Sequence, residues 1–286
     1  MSGFFKHFDW KDYQLQFPDC TNEYKARIHF AKANRFPIRI LRLPHNELKI
    51  QNPVLTVTKL PGSVDLRSKF PPCYDQGQLG SCTANAFVGA YQYLKPSFMG
   101  SRLFLYYNER VIEGSVRYDA GAYIHDGVKS LKQTGLCPET DWLYDISKFA
   151  VKPPTIAYTD ALSHKVLTAY SVTQTLEGMK TLLSNGIPFV IGILCYGSFL
   201  TSSISKTGLV PIPPVNKSDK VQGGHAVLVV GFSDTVQCPG GPSGSFLCRN
   251  SWGTSWGLNG YFWLPYNYLT SKTLCSDNWY LSTVSG

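Results

Sequence analysis

No apolar run in this 286-residue chain is long enough to cross a membrane. The most apolar stretch, residues 187–200, is broken by Pro188, Gly192 and Gly197, whereas a spanning helix needs about 20 consecutive apolar residues. The start of the chain also lacks the apolar core of a secretory signal, because Lys6, His7, Asp9, Lys11 and Asp12 interrupt it. Metal-binding spacing is missing too. The eight cysteines, at 20, 73, 82, 137, 195, 238, 248 and 275, include no CxxC pair, which speaks against a zinc site and a dense disulfide framework. No metal or other cofactor is expected. Cys238 and Cys248, which flank a Gly/Pro-rich segment, are the best candidates for a bridge if the compartment is oxidising. Fixed-period repeats and low-complexity tracts are absent, so neither a repeat array nor a biased tail is indicated.

Charge is sparse as well, at 16% of residues against 43% hydrophobic, an ordinary globular balance. What charge there is lies unevenly. The formal net charge is +8, and the first sixty residues hold ten Lys/Arg against five Asp/Glu. Lys25, Arg27, Lys32, Arg35, Arg39 and Arg42 follow one another with no acidic residue between them. Such a segment either contacts a polyanion or forms a solvated face. No nucleic-acid-binding motif accompanies it.

Three regions follow from the patterning. Residues 1–59 show little sustained period and end at the turn-prone Leu60-Pro61-Gly62-Ser63. Residues 60–160 read as largely helical: Ala84, Phe87, Ala90, Tyr91 and Leu94 recur at helical spacing after Ser81, a residue type suited to an N-cap. A second helix is expected over about 123–133. From 161 to 286 the pattern turns to short strands, at 189–194, 225–232, 245–249 and 260–264, with one helix over about 176–184. The fold class expected is α+β, a helical half before a β-rich half.

The residues that carry chemistry are dispersed along the chain. Cys82 closes the segment Gln76-Gly77-Gln78-Leu79-Gly80-Ser81-Cys82, where glycines lead into the expected helix. At a helix N-terminus, unpaired N–H groups and the dipole favour a negative sulfur. His225 opens an apolar strand in which it is the one ionisable residue, and an imidazole near Cys82 serves as base and then acid. Asn250 begins Asn250-Ser251-Trp252-Gly253-Thr254-Ser255-Trp256-Gly257. Its carboxamide oxygen is expected to accept the Nδ1–H of His225 without adding negative charge, with Trp252 covering that bond. Gln76, six residues before Cys82, is expected to join the Cys82 N–H as an oxyanion donor. Taken singly, each of these has a bland alternative: a small core cysteine, a structural histidine, a turn asparagine, an exposed loop glutamine.

Taken together and in this order, these residues resemble the papain/cathepsin family of cysteine peptidases, in the branch similar to cathepsin B-like enzymes of microbes and large DNA viruses. His225 follows Cys82 by 143 residues and Asn250 follows His225 by 25, consistent with that signature. Pro61-Gly62-Ser63-Val64-Asp65-Leu66-Arg67 resembles the start of the mature enzyme. The resemblance implies a two-lobe fold, with a helical lobe, a β-barrel-like lobe and the active-site cleft between them. It implies endopeptidase activity on polypeptides through a thioester acyl-enzyme. It also implies an inhibitory prosegment over residues 1–59, with the peptidase domain at 60–286.

Departures from the family pattern bear on the expectations. Leu79 stands where many members have a cysteine, and segment 118–123 lacks the partner, so that bridge is absent and a reducing compartment is implied. Thr83 replaces the usual aromatic after the nucleophile, as in microbial and large-virus members. Gly80, Gly121 and Trp252 are expected to line the substrate cleft, while Asp277 is either at the base of a specificity pocket or a solvated loop carboxylate. The location expected is intracellular or inside a virus particle. Two other readings stay open: an acyl transferase on the same fold, and a structural protein that holds a polyanion with its basic segment.

Overall fold

The computed structural model describes Leu55, Val57 and residues 59–286. The basic cluster, Cys20 and almost all of the expected prosegment lie outside the described residues. In chain order the elements are β1 (Ser63–Asp65), α1 (Cys82–Leu94), α2 (Arg102–Ile112), α3 (Ile124–Gln133), α4 (Thr155–Ala161), β2 (Val166–Ser171) and α5 (Leu176–Ser184). They continue as β3 (Phe189–Tyr196), α6 (Ser202–Thr207), β4 (Val221–Gln237), β5 (Ser243–Arg249), β6 (Tyr261–Pro265), α7 (Tyr266–Thr270) and β7 (Cys275–Val284).

Helix α1 is the centre of the packing. Every residue from Cys82 to Tyr91 is buried, the pattern of a helix covered on all sides rather than lying on a surface. Its small residues let neighbours approach. A Cβ on Gly89 would meet Leu228 of β4 at 3.6 Å and Arg249 of β5 at 3.7 Å. Ser81 precedes the helix without capping it: no side-chain cap bond forms, because the hydroxyl is paired with the Tyr144 hydroxyl and with Asn85 Nδ2.

The strands form one antiparallel sheet in the order β2-β7-β3-β4-β5-β6, with β1 added on β4. The expectation of a barrel-like lobe is corrected here, since β2 and β6 end the path unpaired with each other and the sheet stays open. Instead of closing on itself, the sheet is packed by α1. Its longest strand, β4, is buried without interruption from Gly224 to Phe232, as a strand covered on both faces must be.

The early and late parts of the chain are tied together at several points. Strand β1, from the helical half, pairs Val64 with Phe232, and Asp234 N–H donates to the Gly62 carbonyl. At the other end, Tyr91 of α1 donates its hydroxyl to the Ser285 carbonyl. The seven described cysteines are all free thiols, so the Cys238–Cys248 bridge does not form. Cys238 contacts the Ser245 hydroxyl instead, while Cys248 lies within β5 facing Val229 and Phe262 in register.

Candidate active site

The site lies where the N-terminus of α1 meets β4 and the end of β5. Cys82 is the first residue of α1 and is 2% exposed. Its Sγ accepts a hydrogen bond from the Ala226 N–H at 3.5 Å, which brings the thiol to the residue adjoining His225. That histidine, 1% exposed, is fixed in β4 opposite Ile193 of β3. Asn250 follows the last residue of β5, and Leu228 of β4 faces Arg249 in register. Neighbouring strands therefore deliver the ring and the carboxamide to one place.

The bond between them differs in one atom from the sequence expectation. Nε2 of His225, rather than Nδ1, meets Asn250 Oδ1, at 2.7 Å. The same oxygen accepts the Ser251 N–H at 2.9 Å, so it is committed as an acceptor and the ring proton sits on Nε2. Nδ1 has no hydrogen-bond partner among the described residues and is left as the basic nitrogen. Trp252 stacks on the ring, with centroids 4.8 Å apart and planes inclined by 21°. Trp256 packs against Trp252 in turn at 5.1 Å. The tryptophan thereby covers one face of the imidazole, and Phe199 packs against both Trp252 and Trp256, at 5.6 and 5.9 Å.

Gln76 is buried, not an exposed loop residue. Its Oε1 accepts the Ser251 hydroxyl at 2.6 Å and its Nε2 donates to the Leu79 carbonyl at 2.8 Å. An amide nitrogen carries two hydrogens, so one donor remains after that bond. The segments around Gln76 and Asn250 are also joined by main chain: Gln76 N–H to the Ser251 carbonyl and Gly253 N–H to the Tyr74 carbonyl. These bonds hold the loop before the nucleophile against the loop after Asn250.

Burial shapes the electrostatics. It pushes the Cys82 thiol up to about 12, with the Ala226 hydrogen bond working against the rise and Glu109 adding to it. Burial likewise pulls His225 down to about 4, against the raising effect of its bond to Asn250. Burial by itself opposes charge on either group, so each is the natural counter-charge for the other.

Of the expected cleft residues, Gly80 and Gly121 are both buried. The Gly80 N–H donates to the Asp119 carboxylate and the Gly121 N–H to the Tyr106 hydroxyl at 3.1 Å, so neither amide is offered to a substrate strand. Asp277 is only partly exposed and sits with φ of 58°. It accepts the Trp279 indole N–H at 2.7 Å and the His125 N–H at 3.2 Å, so it is not a free solvated carboxylate.

Sequence reasoning missed Glu109 and Asp119. Glu109, fully buried on α2, accepts the Thr83 hydroxyl at 2.8 Å, and burial pushes its carboxyl well above the usual range. The cue was a carboxylate and an arginine ending the aromatic run Phe104-Leu105-Tyr106-Tyr107-Asn108-Glu109-Arg110.

A cysteine at the start of a buried helix, a histidine on the longest strand and a carboxamide just past the next strand are the side-chain set of a thiol hydrolase. The chain belongs to the papain family of cysteine proteases, whose family model matches residues 60–278. A peptidase C1-like protein of Acanthamoeba polyphaga mimivirus is 41% identical over 225 residues, 74% of this chain and 70% of that protein. Among solved structures, xylellain, a cysteine protease from Xylella fastidiosa, is 40% identical with a TM-score of 0.71, covering 79% of this chain and 87% of its own. Digestive procathepsin L 3 of the Tenebrio molitor larval midgut shares the fold at 19% identity and a TM-score of 0.63, over 96% of this chain and 90% of its own. The chain is accordingly a cysteine peptidase.

Proposed function

We propose that this peptidase cleaves internal peptide bonds with Cys82 as nucleophile, His225 as acid and base, Asn250 as the orienter of the ring, and Gln76 as an oxyanion donor. The observation that carries this reading is the convergence of Cys82, His225 and Asn250 from distant parts of the chain, with the Ala226 amide on the sulfur and Asn250 Oδ1 on Nε2. His225 Nδ1 takes the thiol proton as Sγ attacks the scissile carbonyl carbon. The oxyanion formed there meets the Cys82 N–H and the remaining Gln76 Nε2–H. The proton then passes from Nδ1 to the leaving amine, giving a thioester that water, deprotonated by the same nitrogen, hydrolyses.

Residues 1–59 precede the family match, and we assign to them an inhibitory prosegment, with a form starting near Pro61 as the active species. The seven free thiols among the described residues support a reducing compartment. The mimivirus relative favours a virus-particle or intracellular setting. No helix among the described residues is long and apolar enough to cross a membrane. Ala122, rather than Gly121, is the better candidate for pairing with substrate backbone, since its N–H makes no hydrogen bond among the described residues. Replacing Cys82 by Ala tests the assignment: peptide turnover by the processed form is expected to vanish, and retained turnover refutes it.

A further inference from the structure

The loop that ends in Cys82 is held on its far side by a carboxylate outside the set described above. Both oxygens of Asp119 accept the Gly80 N–H, at 3.0 and 3.1 Å. Oδ1 also accepts the Tyr106 hydroxyl of α2, and that same hydroxyl accepts the Gly121 N–H at 3.1 Å. One carboxylate thus links the nucleophile loop, a helix and the segment running into α3. The fit is close. A Cβ on Gly80 would lie 3.0 Å from Asp119 Oδ1 and 3.4 Å from the Gly121 Cα, so the two backbones lie almost in contact.

The segment bearing Asp119 is itself anchored. Arg110, fully buried, donates through Nη1 to the Val116 carbonyl at 2.8 Å and the Tyr118 carbonyl at 3.2 Å. Its Nε bonds the Tyr106 carbonyl at 3.1 Å, so Asp119 and the tyrosine it contacts are positioned by one guanidinium. Cys82 Sγ is held independently, by α1 and the Ala226 amide.

We propose that Asp119 is a positioning residue: it holds Gly80 against Gly121 and so fixes the segment running into Ala122, the residue assigned above to pair with a peptide before attack. It does not touch the reacting atoms. This rests on the peptidase reading of the site, and it separates two functions that a general loosening would damage together. Loss of the clamp is expected to weaken peptide alignment while sparing the intrinsic reactivity of the sulfur.

Asp119→Ala, Asp119→Asn and Tyr106→Phe are the variants to compare in the processed form. In Asp119→Ala, kcat/KM for a peptide is expected to fall about tenfold or more, mainly through KM, as for loss of a hydrogen bond to a charged group. The rate at which iodoacetamide alkylates Cys82 is expected to stay within about twofold, because that small reagent needs no such pairing. Asp119→Asn keeps an acceptor oxygen and should recover most of the loss. Tyr106→Phe, the milder change, should raise KM in the same direction and carries the test if Asp119→Ala does not fold. Equal effects of Ala and Asn, an unchanged KM, or alkylation falling in step with kcat/KM would overturn the proposal. Hydrogen exchange at the Gly80 amide reads the clamp without substrate. Faster exchange in Asp119→Ala supports it and unchanged exchange sinks it, whereas turnover surviving in Cys82→Ala sinks the peptidase reading alone.

Discussion

His225, proposed as the acid and base, sits where a charge is costly. Its ring is buried under Trp252, and burial brings it from 6.5 down to about 4. In the unfolded chain the same ring takes up a proton below pH 6.5, while the folded ring stays neutral until about pH 4. The unfolded state therefore binds more protons across that window, and stability is complete above it and falls as pH drops through it. The loss attributable to this group is about 3 kcal/mol. Denaturant unfolding of the wild type and His225→Asn at pH 7.5 and at pH 4.5 should show the wild type losing more. Equal losses would mean that the ring is already charged at rest. Gln76 yields a kinetic expectation. Gln76→Ala should lower kcat on the order of a hundredfold with little change in KM, and a kcat within about threefold would reduce Gln76 to a strut for Ser251. These residues were legible in the sequence because each sits in a distinctive local motif. The choice of Nε2 over Nδ1 was not, because it depends on how β4 and β5 are registered. Asp119 was not legible either, since a loop aspartate looks solvated until the Gly80 amide is found against it.

At the scale of elements, helices and strands with a clear period were readable. The spacing after Ser81 gave α1, and residues 176–184 match α5. Helix α2 is different. Its apolar and aromatic run Leu103-Phe104-Leu105-Tyr106-Tyr107 leads into Asn108, Glu109 and Arg110, residue types that read as a solvent face although all three are buried. Strands β2 and β7 are also unreadable locally. They pair with each other across more than a hundred residues, with register shifts, and β7 carries Asp277 at positive φ near its start. Strand β1 has three residues and exists because β4 offers it an edge. Gly231 is what lets it approach, since a Cβ there would lie 2.3 Å from the Val64 carbonyl oxygen. Gly231→Ala is therefore expected to destabilise the fold by about 1–3 kcal/mol, the usual cost of overpacking. An unchanged urea midpoint would show that β1 yields without penalty.

For the whole molecule, the chain order places Cys82 in the helical half, with His225 and Asn250 in the β-rich half. Bonds between the Tyr74–Gln76 and Ser251–Gly253 segments, with β1 on β4, keep the halves in register. The α+β class was legible from composition and period, whereas the open sheet was not, because closure depends on which strands meet at the edges. The prosegment assignment predicts that the full chain cleaves a peptide at least about tenfold more slowly than a form starting near Pro61, with equal rates removing it. The decisive measurement joins chemistry to position: treat the processed form with an epoxide inhibitor of cysteine peptidases, then follow peptide cleavage and locate the adduct by mass spectrometry. A single adduct on Cys82, with activity lost in proportion, is expected. Activity that vanishes while Cys82 stays unmodified, or persists when Cys82 is fully modified, would contradict the assignment.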